Sequence, residues 1–529
     1  MAAQDLVEAM QKPEFYPHRP SRVEMLQTHI SFIFIAGEYV YKIKKMVDFG
    51  FLDFTTLEKR YHYCRKELEL NRRLAPDVYL EVVPISRDEG GNFILGAGKE
   101  PIEYAVKMKK LPEDKMLKML FAEGKVDTSL LDAIARKLVS FHGQAATGGG
   151  IDQMGSRETI LHNHEENFAQ TVPFINIAIS QSKYDFIKSY AHNFLEVHDT
   201  LFGKRITEHK IRDCHGDLHL EHICFLDNEV VIFDCIEFNE RFRYEDVAAE
   251  VAFLAMDLDY NDLSGHADDF VAAYVKHSGD REVISLLNFY KCYYAYVRGK
   301  VTSFRLNDRN INEADRGLAV KSAARYFDLS YAYASRLVKP ALIIIAGLMG
   351  TGKSMLAKSL ATYLGAEVIR SDVLRKDMLH IEPASRHYDD FGQGIYDADI
   401  SQQTYKKARE TAATKIRAGR SVIIDASYKK RRDRQDAFET AQKSAADFFI
   451  LECTCPEEII KKRLERRKLK CSEVSDGRWE IFAAQKADFE EISEFPAELH
   501  LSVDTSQEHG ICLDKAIRHL QRGSNRQTT

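Results

Sequence analysis

Residues 215–222 read HGDLHLEH, and Asp234 follows at the end of IFD, so a short stretch offers Asp217, Asp234 and three histidines. An aspartate in a tight His-Gly loop, with a second delivered by a hairpin, can orient an acceptor hydroxyl and hold a hard divalent cation. A second device stands at 346–354, AGLMGTGKS, in which GLMGTGKS satisfies G-x4-G-K-S. Glycines at that spacing let backbone N–H groups close round phosphates at a helix N-terminus, and the lysine and serine supply a cation and a metal-ligating hydroxyl. Gly347, Leu348, Met349, Gly350, Thr351, Gly352, Lys353 and Ser354 are therefore expected to hold ATP, with Ser354 on its Mg2+.

The elements that must position these motifs are of two kinds. HISFIFIAGEYVYKIKK, from 29 to 45, reads as two strands about a tight turn at Gly37-Glu38, because β-branched and aromatic residues crowd both flanks. From Thr56 to Leu74, apolar and aromatic residues recur at helical spacing, ending before Ala75-Pro76, where helix is disfavoured. VYLEVVPI and YAVKMKKL add strands on either side of the turn-rich SRDEGGN, so a small sheet with one helix is expected over about 25–112. Residues of about 113–335 read as helical, including LLDAIARKLVSFHGQ and FIKSYAHNFLEVHDTLF, with strands only around 223–234. Beyond 336–340 the texture becomes βαβ: strands LIIIAG, AEVIRSD and SVIIDAS alternate with helices SMLAKSLATYLG and DADISQQTYKKARETAATKIRAG. Gly365 and Gly419 fall where helix C-caps belong. An α+β bilobal domain over 1–335, then an α/β P-loop domain with a parallel sheet over 336–529, is the fold class expected.

With 529 residues the chain exceeds one core and suggests roughly three or four folding units. Its 45% apolar and 29% charged residues are ordinary for a globular protein, and a formal charge of -6 gives no whole-protein basic field for nucleic acid. MAAQDLVEAMQKPEFYPHRP lacks a signal-length apolar core, and the longest apolar run, ALIIIAGLMG, is too short for a bilayer. A cytoplasmic protein without a membrane partner is expected. Nine scattered cysteines without a CxxC pair read as reduced packing thiols.

HGDLHLEH, FD at 233–234 and FHGQ at 141–144 together resemble the aminoglycoside phosphotransferase family, a branch of the protein-kinase-like fold, over about 25–335. The resemblance implies Asp217 as catalytic base and Asp234 as a magnesium ligand. His222 stands where that family usually carries Asn as the second metal ligand, and imidazole suits softer cations than magnesium. A nucleotide-anchoring lysine on the third strand, paired with a helix glutamate, is also implied. Lys42 and Lys44 share a strand face, but the residue two before the lysine should be small and apolar to lie under adenine. Val40 suits that place for Lys42, whereas Lys42 would fill it for Lys44. Lys42 with Glu67 is therefore expected, with Glu69 as the alternative partner. His215 is expected to bond the loop backbone, His219 to be solvated, and Asp246 to mark a helix N-terminus.

In the C-terminal half, VIRSD places Asp372 at the carboxyl end of a strand, where open α/β sheets put substrate chemistry. SVIIDAS places Asp425 at the end of another, like a Walker B aspartate that orients magnesium. PEEIIKKRLERRK opens on Pro456 and sets Arg463 and Arg466 three apart on one helix face, suited to a lid over the transferring phosphoryl group. This order is similar to the small P-loop kinases related to zeta toxin, gluconate kinase and nucleoside-monophosphate kinases, over about 340–520. The similarity implies Asp372 as base or orienter of the acceptor hydroxyl and Arg375 as a substrate contact. KKRR at 429–432 is expected to be a solvated face. Both halves in this order resemble a bacterial family of bifunctional aminoglycoside phosphotransferase/ATP-binding proteins. An ATP-dependent phosphotransferase with two fused kinase-type domains, acting on a small-molecule hydroxyl, is implied. Three alternatives stand beside it: a single active C-terminal kinase with an N-terminal pseudokinase module, a nucleic-acid 5′-hydroxyl kinase using KKRRDR at 429–434, and a non-enzymatic ATP switch. Oligomeric state is open.

Overall fold

In a computed structural model of the chain, the described residues are 2–96, 100–226, 229–308, 311–337, 339–382, 392–468 and 478–526. They divide into two compact units, Met1–Ser330 and Tyr331–Thr529.

The first unit opens with strands β1 (Val23–Gln27), β2 (Ser31–Ala36), β3 (Tyr39–Lys44), β4 (Tyr79–Arg87), β5 (Phe93–Leu95) and β6 (Glu103–Lys109). They form an antiparallel sheet in the order β1-β2-β3-β6-β4-β5. Alternation along β3 sends Tyr41 and Ile43 into a cluster with Leu6, Met10, Tyr16 and Phe34 on one face, and Lys42 and Lys44 to the other. On that second side the helix Leu57–Asn71 packs against β4 and β6. Thr56 caps it, accepting from the Lys59 N–H at 3.3 Å, and Arg60 grips Glu103 of β6 at 2.9 and 3.0 Å.

The rest of this unit is mainly helical, with four short strands: β7 (Ile211–Asp213), β8 (Ile223–Leu226), β9 (Glu229–Ile232) and β10 (Tyr244–Asp246). β8 pairs with β9, and β7 with β10. FIKSYAHNFLEVHDTLF is two helices, Gln181–Val197 and Asp199–Thr207, meeting at His198. At the centre runs the helix Val247–Tyr260, buried at every residue from Val247 to Leu258. A helix apolar on all sides belongs in a core, which makes its buried Glu250 and Asp257 conspicuous. Asp246 does mark its N-terminus, accepting from the Ala248 N–H at 2.8 Å, and it also pairs with the fully buried Arg205 at 2.6 Å.

In the second unit, β11 (Ala341–Ala346), β12 (Glu367–Arg370), β13 (Val422–Asp425), β14 (Asp447–Thr454) and β15 (His500–Asp504) make a parallel sheet in the order β12-β13-β11-β14-β15. The ALIIIA run of β11 is buried at all six positions, as a central strand covered on both faces requires. The helix Lys353–Leu364 ends at Gly365 in the left-handed region. AEVIRSD is strand only to Arg370, because Ser371 and Asp372 open the helix Ser371–Met378. No helix among the described residues is long and apolar enough to cross a membrane, and the eight described cysteines are free, all but Cys455 buried.

Candidate active sites

In the first unit, Lys42 Nζ lies 2.8 Å from Glu67 Oε1 and 2.7 Å from Asp234 Oδ1. The β3 hairpin, the Leu57–Asn71 helix and the end of the β8–β9 hairpin thus meet on one ammonium. Lys44 also uses Glu67, at 2.8 Å, and has Glu237 as a second partner. Glu69 faces outward, 3.4 Å from Lys66. Burial disfavours the charged forms of Lys42 and Glu67, but Asp234 and Glu67 outweigh it at Lys42, which titrates well above its usual value, and Lys42 and Lys44 outweigh it at Glu67, which titrates below its own. Both stay ionised at neutral pH. Asp234 adopts φ +63°, a left-handed conformation unusual for a side-chain-bearing residue, and its N–H donates to the Tyr79 hydroxyl at 3.2 Å.

The His-Gly-Asp loop is held from beneath by the central helix. Glu250 accepts from the N–H groups of His215 at 2.6 Å and Gly216 at 3.0 Å, and Asp257 accepts from that of Leu220 at 2.9 Å. Glu250 is fixed in turn by His142 at 2.6 Å, whose other ring nitrogen lies 2.7 Å from the Tyr274 hydroxyl. Gly216 has φ +84°, and a Cβ there would stand 2.7 Å from the Phe242 carbonyl oxygen, so glycine alone lets the loop turn. His215 bonds the backbone, its Nε2 2.9 Å from the Phe233 carbonyl and its Nδ1 accepting from the Asp217 N–H at 3.3 Å.

His219 departs from expectation. It is 5% exposed rather than solvated, with Nε2 3.6 Å from Asp217 Oδ2 and its ring centroid 3.9 Å from that of His222. Burial opposes its protonation, but the Asp217 carboxylate outweighs burial and raises its pKa. Burial likewise opposes the charged form of Asp217, but His219, then His222 and Arg298, more than offset it, so its carboxyl lies well below the usual range. Burial, reinforced by His219, pulls His222 down to about 4. The Nδ1 of His222 lies 2.9 Å from the Asp217 carbonyl and its Nε2 3.5 Å from Asp234 Oδ2. Asp217 and Asp234 keep 32% and 40% of their side chains exposed. Two carboxylates reachable from outside, one beside an ammonium, suit an acceptor hydroxyl and a cation-bound phosphate.

The P-loop of the second unit is made of backbone. Gly347 has φ +127°, and a Cβ there would lie 2.4 Å from the Cys453 carbonyl oxygen of β14. Its N–H donates to the Ser427 carbonyl at 3.1 Å, tying the loop to the end of β13. Met349 packs with Ile460, Leu464 and Phe482, its N–H donating to Gln485 at 2.8 Å, while the Thr351 hydroxyl donates to the Leu348 carbonyl at 2.7 Å. Lys353 Nζ donates to the carbonyls of Gly347 and Leu348 at 2.9 and 2.7 Å, folding back over the loop. Gly352 precedes the first helical turn, Gly350 closes the loop beneath Leu464, and Ser354 is exposed.

Around this loop, Asp425 ends β13 in register with Ile345 of β11 and is 6% exposed. Asp372 lies in the first turn of its helix, 3.3 Å from Arg375, whose guanidinium stacks on Tyr396 at 4.6 Å. Arg463 turns onto the loop, donating to the Thr505 carbonyl at 2.7 Å and approaching the Gly350 carbonyl at 3.5 Å. Arg466, one turn on, is exposed; only one of the two arginines is on the P-loop. KKRR is solvated at Arg431 and Arg432, both exposed, and partly paired: Lys429 and Lys430 meet Asp488 at 2.6 and 2.8 Å, and Arg431 meets Glu494 at 3.7 Å. The carboxylate and hydroxyl oxygens of Asp425 and Ser354 are a donor set suited to magnesium, whereas the first unit offers one carboxylate oxygen and one imidazole nitrogen.

Sequence reasoning missed Glu250, Asp257, Glu237 and the double use of Glu67. A signal existed for the first two, since a carboxylate on an otherwise apolar helix needs a buried partner. Glu237 had none, because its partner Lys44 is far away in the chain.

Residues 342–492 match the family model described as AAA domain. Uncharacterised proteins of Mycobacterium tuberculosis and Mycobacterium bovis are 29% identical over 468 residues, covering 88% of this chain and 91% of theirs. Among solved structures, a gluconokinase from Sinorhizobium meliloti 1021 is similar at 19% identity and TM-score 0.25, over 36% of this chain and 93% of that one. Amicoumacin kinase hAmiN is similar at 13% identity and TM-score 0.39, over 62% and 93%. A choline/ethanolamine kinase family protein from Mesorhizobium loti is similar at 13% identity and TM-score 0.37, over 62% and 99%. The family match thus falls within the second unit, on residues 342–492, the stretch that carries the G-x4-G-K-S motif between β11 and the helix Lys353–Leu364.

Proposed function

We propose that the chain is an ATP-dependent phosphotransferase with two kinase-type sites, each moving a γ-phosphoryl group to a hydroxyl of a small molecule. The observation that carries this reading is the Lys42 ammonium, held between Glu67 and Asp234 in the first unit. Lys42 is the phosphate anchor, Asp234 and His222 hold the cation, and Asp217 orients the acceptor hydroxyl. Its low pKa keeps Asp217 ionised, so it acts chiefly by position and accepts the proton as the phosphoryl group departs. In the second unit the backbone from Gly347 to Gly352 cradles phosphate, Lys353 reaches the outer phosphates, and Ser354 and Asp425 hold magnesium. Asp372 orients the acceptor there, Arg375 contacts it, and Arg463, the arginine that lies on the loop, screens the transferring group.

His222 favours one second reading, in which the first unit only binds and regulates while the P-loop unit transfers. The nucleic-acid reading loses support from the ion pairs that engage Lys429, Lys430 and Arg431. Acceptor-stimulated ADP release, screened over hydroxylated metabolites with Asp217→Ala and Lys353→Ala, separates the two. Partial loss in each variant, for different acceptors, supports two transferring sites; loss with Lys353→Ala alone leaves one.

A further inference from the structure

The Nδ1 of His222 lies 2.9 Å from the carbonyl oxygen of Asp217. A carbonyl can only accept, so Nδ1 carries the hydrogen and the Nε2 lone pair is turned towards Asp234 Oδ2, 3.5 Å away. These two atoms form no hydrogen bond with each other. Two acceptors facing at that distance are spanned by one cation with bonds of about 2.1 Å to each. Asp234 is ready for it: Oδ1 is taken by Lys42 at 2.7 Å, leaving Oδ2 for the cation.

His219 is the neighbouring imidazole, and its hydrogens run the other way. Its Nδ1 accepts from the Glu221 N–H at 3.3 Å, so Nε2 carries the hydrogen and points it at Asp217 Oδ2, 3.6 Å distant. Asp217, His219 and His222 lie close enough to suggest a three-ligand cluster, but a ring nitrogen bearing hydrogen is not a ligand. His219 is a hydrogen-bond donor to Asp217, and His222 alone offers a lone pair.

We propose that the cation of the N-terminal site is held by His222 Nε2 and Asp234 Oδ2, and is a first-row transition ion of the manganese, cobalt or zinc class in preference to magnesium. Magnesium demands oxygen ligands in a near-ideal octahedron; imidazole favours the transition ions, with affinity rising from manganese to cobalt. The inference rests on the function proposed above only for the cation's purpose, since the ligand geometry stands by itself.

The test uses the full chain without nucleotide. Mn2+ binding is followed by loss of the free-ion paramagnetic resonance signal, and Co2+ binding by its visible absorption bands. Wild-type protein should keep Mn2+ against equimolar Mg2+ and give a Co2+ spectrum with a nitrogen ligand. His222→Asn and His222→Gln should each weaken Mn2+ binding roughly tenfold or more and lose the nitrogen-ligand bands, while His219→Asn keeps them; thermal melting checks that every variant is folded. Displacement of Mn2+ by equimolar Mg2+ from the wild type, which needs no variant, overturns the proposal, as does loss of the bands in His219→Asn with retention in His222→Asn. His222-dependent manganese binding without phosphoryl transfer would keep this inference and sink the proposed function; transfer with no His222-dependent ion would do the reverse.

Discussion

The two candidate sites hold charge in opposite ways. In the first unit a lattice of side chains sets two buried lysines, Lys42 and Lys44, against three carboxylates, buried Glu67 and Glu237 and the partly exposed Asp234. The P-loop of the second relies on backbone geometry, with Gly347 and Gly350 where a side chain would strike a neighbour. A side-chain lattice weakens when a member is removed, because its buried partners lose a counter-charge. A backbone cradle fails when an atom is added.

That contrast orders the expected effects. Glu67→Ala takes the shared carboxylate from two lysines with 10% and 1% exposed side chains, leaving Lys42 with Asp234 and Lys44 with Glu237, and should lower the stability of the first unit by about 3 kcal/mol in denaturant unfolding. A change below about 1 kcal/mol would mean that the lattice is as weak as a surface ion pair. Gly347→Ala should lower that of the second unit by about 3 kcal/mol, through left-handed strain and the clash with the Cys453 carbonyl, and abolish nucleotide binding there. Retained P-loop binding would show that the cradle tolerates a methyl group.

Legibility from sequence follows the same divide. The P-loop was readable because its chemistry is local: eight consecutive residues between an apolar strand and an amphipathic helix. In the first unit, alternation left Lys42 and Lys44 on one face, and only the small Val40 before Lys42 separated them. Nothing in a linear reading joins Lys44 to Glu237, 193 residues on, or Glu250 to the loop it supports. The error on His219 has the same root, since its ring packs against Phe253 of a later helix. Strand period and helix caps are short-range; the partners of buried charges are set by packing between distant segments.

Smaller effects sharpen the comparison. Glu250→Gln keeps the shape beneath the His-Gly-Asp loop but removes the charge from bonds to two N–H groups, and should destabilise the first unit by about 2 kcal/mol; no change would deny the helix its supporting role. His164 is buried and its pKa falls from 6.5 to about 3 because burial disfavours the charged ring. The unfolded chain therefore binds a proton in that window that the folded one does not, and stability falls with pH from about 6.5 to about 3. The slope is at most about 1.4 kcal/mol per pH unit. His164→Phe should remove this component from urea titrations across that range, and identical slopes in the two proteins would deny it.

Isothermal titration of the intact chain with a non-hydrolysable ATP analogue, supplied with Mg2+ and then Mn2+, tests the central claim most directly. Two occupied nucleotide sites are predicted, one lost in Lys353→Ala and the other in Lys42→Ala. A single site, abolished by Lys353→Ala and indifferent to Lys42→Ala, would contradict it.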